Sequence, residues 1–207
     1  MGSLALLHPQ KIATCALLVL GKSACAVAAV SLAAGGGPLK PAGHGCAVYD
    51  YDRALSGPAV TSYDWSGTCV GGMASGAGEL RAYLDGQLDE TTHGSMIKGR
   101  LEGPAQTLFS NGAKFEGRYT NGQRNGFGRD VDTRGNFYEG EYANGQRQGY
   151  GVWHLPNGMR YQGEWANGRP SGKGEAIWPN GDRYKGLFVD GHYAKGLIFT
   201  GGVRSGR

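Results

Sequence analysis

The most regular feature of the sequence is an aromatic residue that returns every 23 positions through its second half, with a second aromatic residue four positions after it. The two series are Phe115, Tyr138, Tyr161 and Tyr184, and Tyr119, Tyr142, Trp165 and Phe188. Polar and small residues alternate with these rings, as in Tyr138-Glu-Gly-Glu-Tyr142. Alternation with a period of two is typical of a β-strand with one buried face.

A dipeptide typical of tight turns follows each pair of aromatic residues. The four dipeptides are Asn121-Gly122, Asn144-Gly145, Asn167-Gly168 and Asp190-Gly191. A type I′ turn needs positive φ at both central residues, which Asn, Asp and Gly tolerate best. Each 23-residue unit is therefore predicted to be a β-hairpin.

Glycines recur inside the predicted strands, where glycine is normally unfavourable. One series lies between the paired aromatic residues, and a second forms Gly-x-Gly in the following strand. They are Gly117, Gly140, Gly163 and Gly186, and Gly126, Gly128, Gly149, Gly151, Gly172 and Gly174. We expect rings from adjacent hairpins, such as Trp165 or Tyr142, to pack across Gly149 and Gly151.

This repeating pattern of aromatic residues, glycines and turn dipeptides resembles the MORN (membrane occupation and recognition nexus) repeat. The resemblance is strongest at Tyr138 to Gly158 and again at Tyr161 to Gly181. The resemblance implies an all-β fold, an elongated and twisted antiparallel array of β-hairpins in a single sheet. It also implies a module for protein contact and, less securely, for phospholipid binding. A hairpin of this size cannot bury its apolar face alone, so stacking of several units is the expected source of stability.

The repeat array is predicted to span residues 65–207, with units starting near 65, 92, 115, 138, 161 and 184. Trp65-Ser-Gly67-Thr-Cys69 resembles the opening of first units in exported bacterial MORN proteins. In the second unit Thr92 and Met96 replace the aromatic residues, and the four extra residues before it predict a longer turn at 85–91. In the last unit the repeat pattern is expected to end after the turn, because Lys195 and Leu197 occupy the Gly-x-Gly positions. This unit is expected to act as a cap.

The N-terminal part of the chain departs from the repeat. Residues 12–34 are apolar except for Lys22 and a few small polar residues, which predicts a leader helix within residues 1–34. We expect a cleaved signal peptide, and the alternatives are an uncleaved membrane anchor and a cytosolic protein in which this segment is not a leader. Residues 35–45 are predicted to be a flexible linker, and residues 46–64 a β cover of the sheet edge with strands at 46–51 and 60–63.

The cysteines favour export to a periplasmic or secreted location. Of the four, Cys15 and Cys25 lie in the leader, so a mature chain would retain Cys46 and Cys69. Two cysteines in an exported chain predict a disulfide, and two free buried thiols are the alternative. No cysteine or histidine cluster predicts a metal site, and no cofactor is expected.

Charge and aromatic residues predict a binding surface. The net charge is +4, and the excess of Lys and Arg lies in the repeats, interspersed with acidic residues. We predict a binding face formed by Tyr142, Trp165, Phe188, Glu141 and Arg160, with changes at Glu141 or Arg160 leaving stability nearly unaltered. The expected partner is a protein or an anionic membrane or polysaccharide surface, not a nucleic acid.

The sequence holds no motif that nominates a nucleophile or a general base. The resemblance implies a non-enzymatic binding or scaffold module, which we expect in the cell envelope. The alternative is a small exported hydrolase or modifying protein with its site in the irregular units at 46–112. That alternative requires a non-periodic cluster of ionisable groups. The candidates are Asp85, Asp89, Glu90, His93 and Glu102.

Overall fold

A computed structural model describes residues 46–49 and 60–201 of the chain. The first seven strands are β1 (Ser62–Trp65), β2 (Thr68–Val70), β3 (Met73–Leu84), β4 (Gln87–Ile97), β5 (Arg100–Phe109), β6 (Lys114–Thr120) and β7 (Gln123–Val131). The other six are β8 (Phe137–Ala143), β9 (Gln146–His154), β10 (Arg160–Ala166), β11 (Arg169–Ile177), β12 (Arg183–Val189) and β13 (His192–Phe199). The predicted leader and linker, residues 1–45, lie outside the described residues.

The strands form one open antiparallel sheet in which neighbours in sequence are neighbours in space. From β3 to β13 each strand pairs with the next, while β1 and β2 both pair with β3. The described residues contain no helix, and so none that is long and apolar enough to cross a membrane. The predicted all-β hairpin array is confirmed.

The turns between paired strands have the predicted type I′ geometry. At the Asn and Asp positions φ is +53° for Asn121, +50° for Asn144, +51° for Asn167 and +49° for Asp190. The glycines that follow have φ between +78° and +86°. Positive φ at both central residues matches the right-handed twist of the flanking strands, which is why the dipeptide predicts the hairpin.

Glycines lie opposite one another across the middle of the sheet, and a ring covers each pair. Gly140 pairs with Gly151, and a Cβ atom on Gly151 would lie 2.6 Å from Cζ of Tyr138. The first aromatic residue of each unit covers the glycines of its own hairpin. The prediction that Trp165 or Tyr142 covers Gly151 is therefore wrong, because the ring of Tyr138 folds back along its own strand.

The aromatic residues form a continuous zigzag column on the face of the sheet where the rings cover these glycines. Tyr138 contacts Tyr142 of its own unit edge to face, with ring centroids 5.3 Å apart, and Trp165 of the next unit at 4.9 Å. Tyr161 repeats this with Trp165 at 5.5 Å and with Phe188 at 4.8 Å. Edge-to-face contacts join each hairpin to the next, so the column is the core of the array.

The irregular second unit keeps its packing with different side chains. Thr92 and Met96 are buried in the aromatic positions, and the Thr92 hydroxyl lies 2.9 Å from that of Thr107. The longer turn predicted at 85–91 is absent. Asp85 and Gly86 make a two-residue turn, and the extra residues lengthen the flanking strands β3 and β4 to 12 and 11 residues.

The last unit keeps the glycine pairing of the repeat beyond its turn, although its sequence pattern ends there. Gly196 lies opposite Gly186, and a Cβ atom on it would be 2.8 Å from Cζ of Tyr184. A register shift between Leu187 and Phe188 moves the glycine one residue from its expected position. The prediction that Lys195 and Leu197 replace the glycine pair is therefore wrong.

The N-terminal segment is attached to the first hairpin by a disulfide and by hydrogen bonds. Cys46 and Cys69 form the predicted disulfide, with Cα atoms 5.5 Å apart. The Tyr63 hydroxyl donates to the Cys46 carbonyl at 2.8 Å and accepts from the Val48 amide at 3.1 Å. Of the two predicted cover strands, the second is β1, and the first is reduced to a bridge between Ala47 and Met73 within residues 46–49.

Candidate binding surfaces

The aromatic residues of the predicted binding face are buried. Tyr142, Trp165 and Phe188 are only 4%, 3% and 5% exposed, because they belong to the aromatic column. These three residues therefore stabilise the hairpin stack and present no ring to a partner. The sequence pattern could not separate the two roles, since a large ring on one strand face suits either a core or a platform.

Glu141 is exposed, as predicted, but its carboxylate has a structural role. Gly149 has φ of +66° at a register shift between β8 and β9, and the Glu141 carboxylate lies against it. One carboxylate oxygen accepts a hydrogen bond from the Tyr150 amide at 3.2 Å. Glu141 therefore has a partner within the sheet, and the small effect of its replacement on stability stays a prediction.

The same arrangement recurs one unit later. Glu164 accepts from the Lys173 amide at 3.0 Å, beside Gly172 with φ of +101°. Arg160 is half-buried, and its guanidinium donates to the Gln162 side-chain oxygen at 2.5 Å. Of the five predicted face residues, then, three are core and the two charged ones have partners within the sheet.

Asp130 is a charged residue that does not follow the repeat. Its carboxylate accepts from the Tyr142 hydroxyl at 2.8 Å and from the Arg147 guanidinium, both distances being 3.0 Å. Arg147 in turn lies over the Tyr138 ring at 4.7 Å. This network of hydrogen bonds links the strands β7, β8 and β9 beside the aromatic column.

The hydroxyls of the column remain protonated donors. Burial raises the pKa of Tyr161 to about 12, and the nearby Glu164 carboxylate acts in the same direction. Burial also raises the pKa of Tyr138 and of Tyr142 well above the ordinary range. The Tyr138 and Tyr161 hydroxyls donate to the carbonyls of Glu141 and Glu164, at 2.9 and 2.8 Å.

The ionisable residues that an enzymatic site would need lie in different surroundings. Asp85 is in the β3–β4 turn, Glu90 is buried, and His93 is exposed with its Nε2 3.6 Å from Glu79. Glu102 accepts a hydrogen bond from the Asn121 amide at 2.9 Å. Within residues 46–49 and 60–201, no three His, Cys, Asp or Glu side chains are grouped so that they could hold a metal ion.

The polar face is the side of the sheet opposite the aromatic column. A groove of about 570 Å³ on this face crosses β9 to β12. The glycines Gly163, Gly174 and Gly186 form its floor. The side chains that line it are Tyr150, Gln162, Lys173, Glu175, Lys185 and Leu187.

The C-terminal edge is the most apolar exposed part of the described chain. All eight residues of β13 are exposed, and Leu197 and Ile198 are 67% and 71% accessible on opposite faces of the strand. Within the described residues, β13 pairs only with β12. The sequence pattern led us to predict a cap here. The signal that could have indicated an interface is the run of three apolar residues at 197–199, where polar and apolar residues alternate in the other units.

Comparison with known proteins agrees with the repeat pattern. The MORN repeat family model matches residues 115–129, 138–160 and 161–183, which cover strands β6 to β11. No curated protein matches the chain significantly. The matched ranges are the units with an intact aromatic and glycine pattern, and the irregular units lie outside them.

Proposed function

Because this chain is a MORN-repeat protein, we propose that it is a binding module of the cell envelope whose protein partner adds a β-strand to the edge of β13. MORN repeats generally act as binding or scaffold modules. The observation that supports the proposal is the long, exposed outer strand at one end of the sheet.

The two ends of the sheet differ in the way that strand addition requires. At the N-terminal end, β1 and β2 have only four and three residues, and the disulfide-linked segment 46–49 lies beside them. Short or covered edge strands are how proteins prevent pairing with other chains. At the C-terminal end β13 has eight exposed residues, so within residues 46–49 and 60–201 this end alone offers a strand-length edge.

Side chains at this edge define the chemistry of the partner strand. Lys195 and Leu197 lie on the polar face, opposite Leu187 and Lys185 of β12. Ile198 lies on the face of the aromatic column, opposite Tyr184. Cross-strand pairs are stabilised by opposite charges and by apolar contact, so the partner is an extended segment that combines acidic and apolar side chains.

The test uses a fluorescent eight-residue peptide that alternates glutamate with valine. We expect it to bind the parent protein and to protect β13 amides from hydrogen exchange. A Leu197→Glu/Ile198→Glu variant should bind at least about tenfold more weakly without loss of stability, because both side chains are exposed. The matched control is Val70→Glu/Ile97→Glu, which changes two residues that are 66% and 59% exposed at the other end.

Two further measurements make strand addition distinct from other contacts. The same peptide with alternate amides methylated should not bind, because it cannot form the ladder hydrogen bonds. Equal binding of the methylated peptide would contradict the proposal. The proposal would also be contradicted if the parent protein bound phosphatidylglycerol vesicles but not the peptide, and if the double variant abolished that vesicle binding.

The proposed envelope location rests on two features. A disulfide persists in oxidising compartments and is rare in the cytosol, and Cys46 and Cys69 are bonded. The apolar segment 12–34, which lies outside the described residues, has the composition of a signal peptide.

We therefore expect the mature chain to begin after this segment. Intact-mass measurement on protein from the native host should give a chain that lacks residues 1–34 or most of them. A chain of full mass that stays with membranes after high-salt and carbonate washes would show an anchor instead.

A further inference from the structure

The groove on the polar face has two exposed lysines that form no ion pair within the described residues. These are Lys173 and Lys185. They lie on the adjacent strands β11 and β12, where Lys173 is opposite Leu187 and Lys185 is opposite Glu175. The two ammonium groups are therefore available to an anionic ligand.

The acidic residues nearest the groove are already engaged. The Glu164 carboxylate accepts the Lys173 backbone amide at 3.0 Å and lies against Gly172. Glu175 accepts from the Gln162 side chain at 2.9 Å and lies 3.5 Å from the Arg183 guanidinium. These contacts fix the carboxylates on the groove wall, where each keeps its negative charge and can accept hydrogen bonds from ligand hydroxyls.

The groove also has an exposed ring and an apolar wall. Tyr150 is 55% exposed and Leu187 is 42% exposed, and both line the groove. Phe127, 59% exposed, occupies the position of Tyr150 one repeat earlier, two strands away and so at about 10 Å. Exposed rings in line across the strands suit a linear ligand made of flat, repeating units.

The floor of the groove excludes recognition by strand pairing. Gly163, Gly174 and Gly186 lie opposite one another in the ladder, and each of their strands is paired on both edges. Their backbone groups are used within the sheet, so a ligand must be held by side chains. The column side of the same glycines is filled by the rings of Tyr161 and Tyr184.

We infer that this groove binds an acidic linear polysaccharide, with sugar rings stacked on Tyr150 and carboxylate groups held by Lys173 and Lys185. A uronic acid unit carries both a ring with an apolar C–H face and a carboxylate. The groove volume is within the range of small-ligand sites, large enough for a few sugar units. This site is separate from the β13 edge and does not depend on strand addition there.

The test is calorimetric titration of the full mature chain with polygalacturonate oligomers. Lys173→Gln/Lys185→Gln and, separately, Tyr150→Ala should each raise the Kd at least about tenfold. Tyr150→Phe should bind nearly as the parent does, because it retains the ring. Lys98→Gln, an exposed lysine in the β4–β5 turn, is the matched charge control and should leave the Kd unchanged.

Two probes separate this ligand from others of the same charge. Neutral cello-oligosaccharides should bind far more weakly, and phosphatidylglycerol vesicles should not compete with the oligomers. Equal binding by all variants, or an equal loss in the Lys98→Gln control, would overturn the inference. So would vesicle binding that depends on Lys173 and Lys185 when the oligomers do not bind. Ile198→Glu alone, which changes β13 on the face of the aromatic column, should weaken peptide binding but keep the oligomer affinity, so this inference and the strand-addition proposal can fail independently.

Discussion

Replacing Gly151 with valine is expected to lower the free energy of unfolding by about 3 kcal/mol, the upper end of the usual cost of overpacking a core. A Cβ atom at this position would lie 2.6 Å from Cζ of Tyr138. The ring cannot move aside, because it is fully buried and its hydroxyl donates to the Glu141 carbonyl at 2.9 Å. It is also held between Tyr142 and Trp165.

The measurement is chemical denaturation of the variant beside Tyr150→Val. This control puts the same β-branched residue at the neighbouring position of β9, where the side chain points to the polar face. It should change stability by less than about 0.5 kcal/mol, as surface substitutions usually do. If Gly151→Val unfolds like the control, the ring does not determine the need for glycine at this position.

The parts of the fold that the sequence predicts are those set by local chemistry. The Asn-Gly dipeptides require positive φ, which only a tight hairpin turn uses at both positions, so every regular hairpin could be placed from its turn. The 23-residue period then stacks identical hairpins in chain order. Neither step depends on contacts between residues distant in sequence.

The parts that sequence reasoning missed depend on side-chain direction and on register. The choice of Tyr138 rather than Trp165 over Gly151 follows from the ring folding along its own strand, which spacing does not reveal. A register shift of one residue places Gly196 in the expected glycine position. The structural role of Glu141 depends on the backbone geometry of Gly149, across the strand pair.

The same limitation explains why the binding surfaces differ from those predicted. Tyr142 and Tyr150 are both tyrosines of the same hairpin, yet one is 4% and the other 55% exposed. Strand parity places them on opposite faces, but parity alone does not say which face is covered in a single-layer sheet. The aromatic column supplies that answer, because rings that pack against each other exclude water from their own face.

The Cys46–Cys69 disulfide supports a second large prediction, which concerns only one end of the molecule. It closes a loop with a sequence separation of 23 residues, so the chain-entropy estimate gives about 3 kcal/mol of stabilisation. The segment it holds has two buried residues, Cys46 and Val48. Its Ala47 carbonyl accepts the Ala74 amide at 3.0 Å, and its Tyr49 amide donates to the Gly99 carbonyl at 2.6 Å.

In a Cys46→Ala/Cys69→Ala variant, we expect the stability of the first hairpins to fall, and not that of the whole array. Repeat proteins are stabilised by contacts between neighbouring units, so a change at one end opens that end first. Hydrogen exchange should be faster at the Ala47, Tyr49 and Ala74 amides, which form hydrogen bonds between this segment and the first hairpins, and unchanged in β8 to β11. Tyr63→Phe, which keeps the disulfide but removes the hydroxyl that joins Cys46 to Val48, should give a smaller effect at the same amides. Uniform acceleration across all thirteen strands would show instead that the sheet unfolds as one cooperative unit.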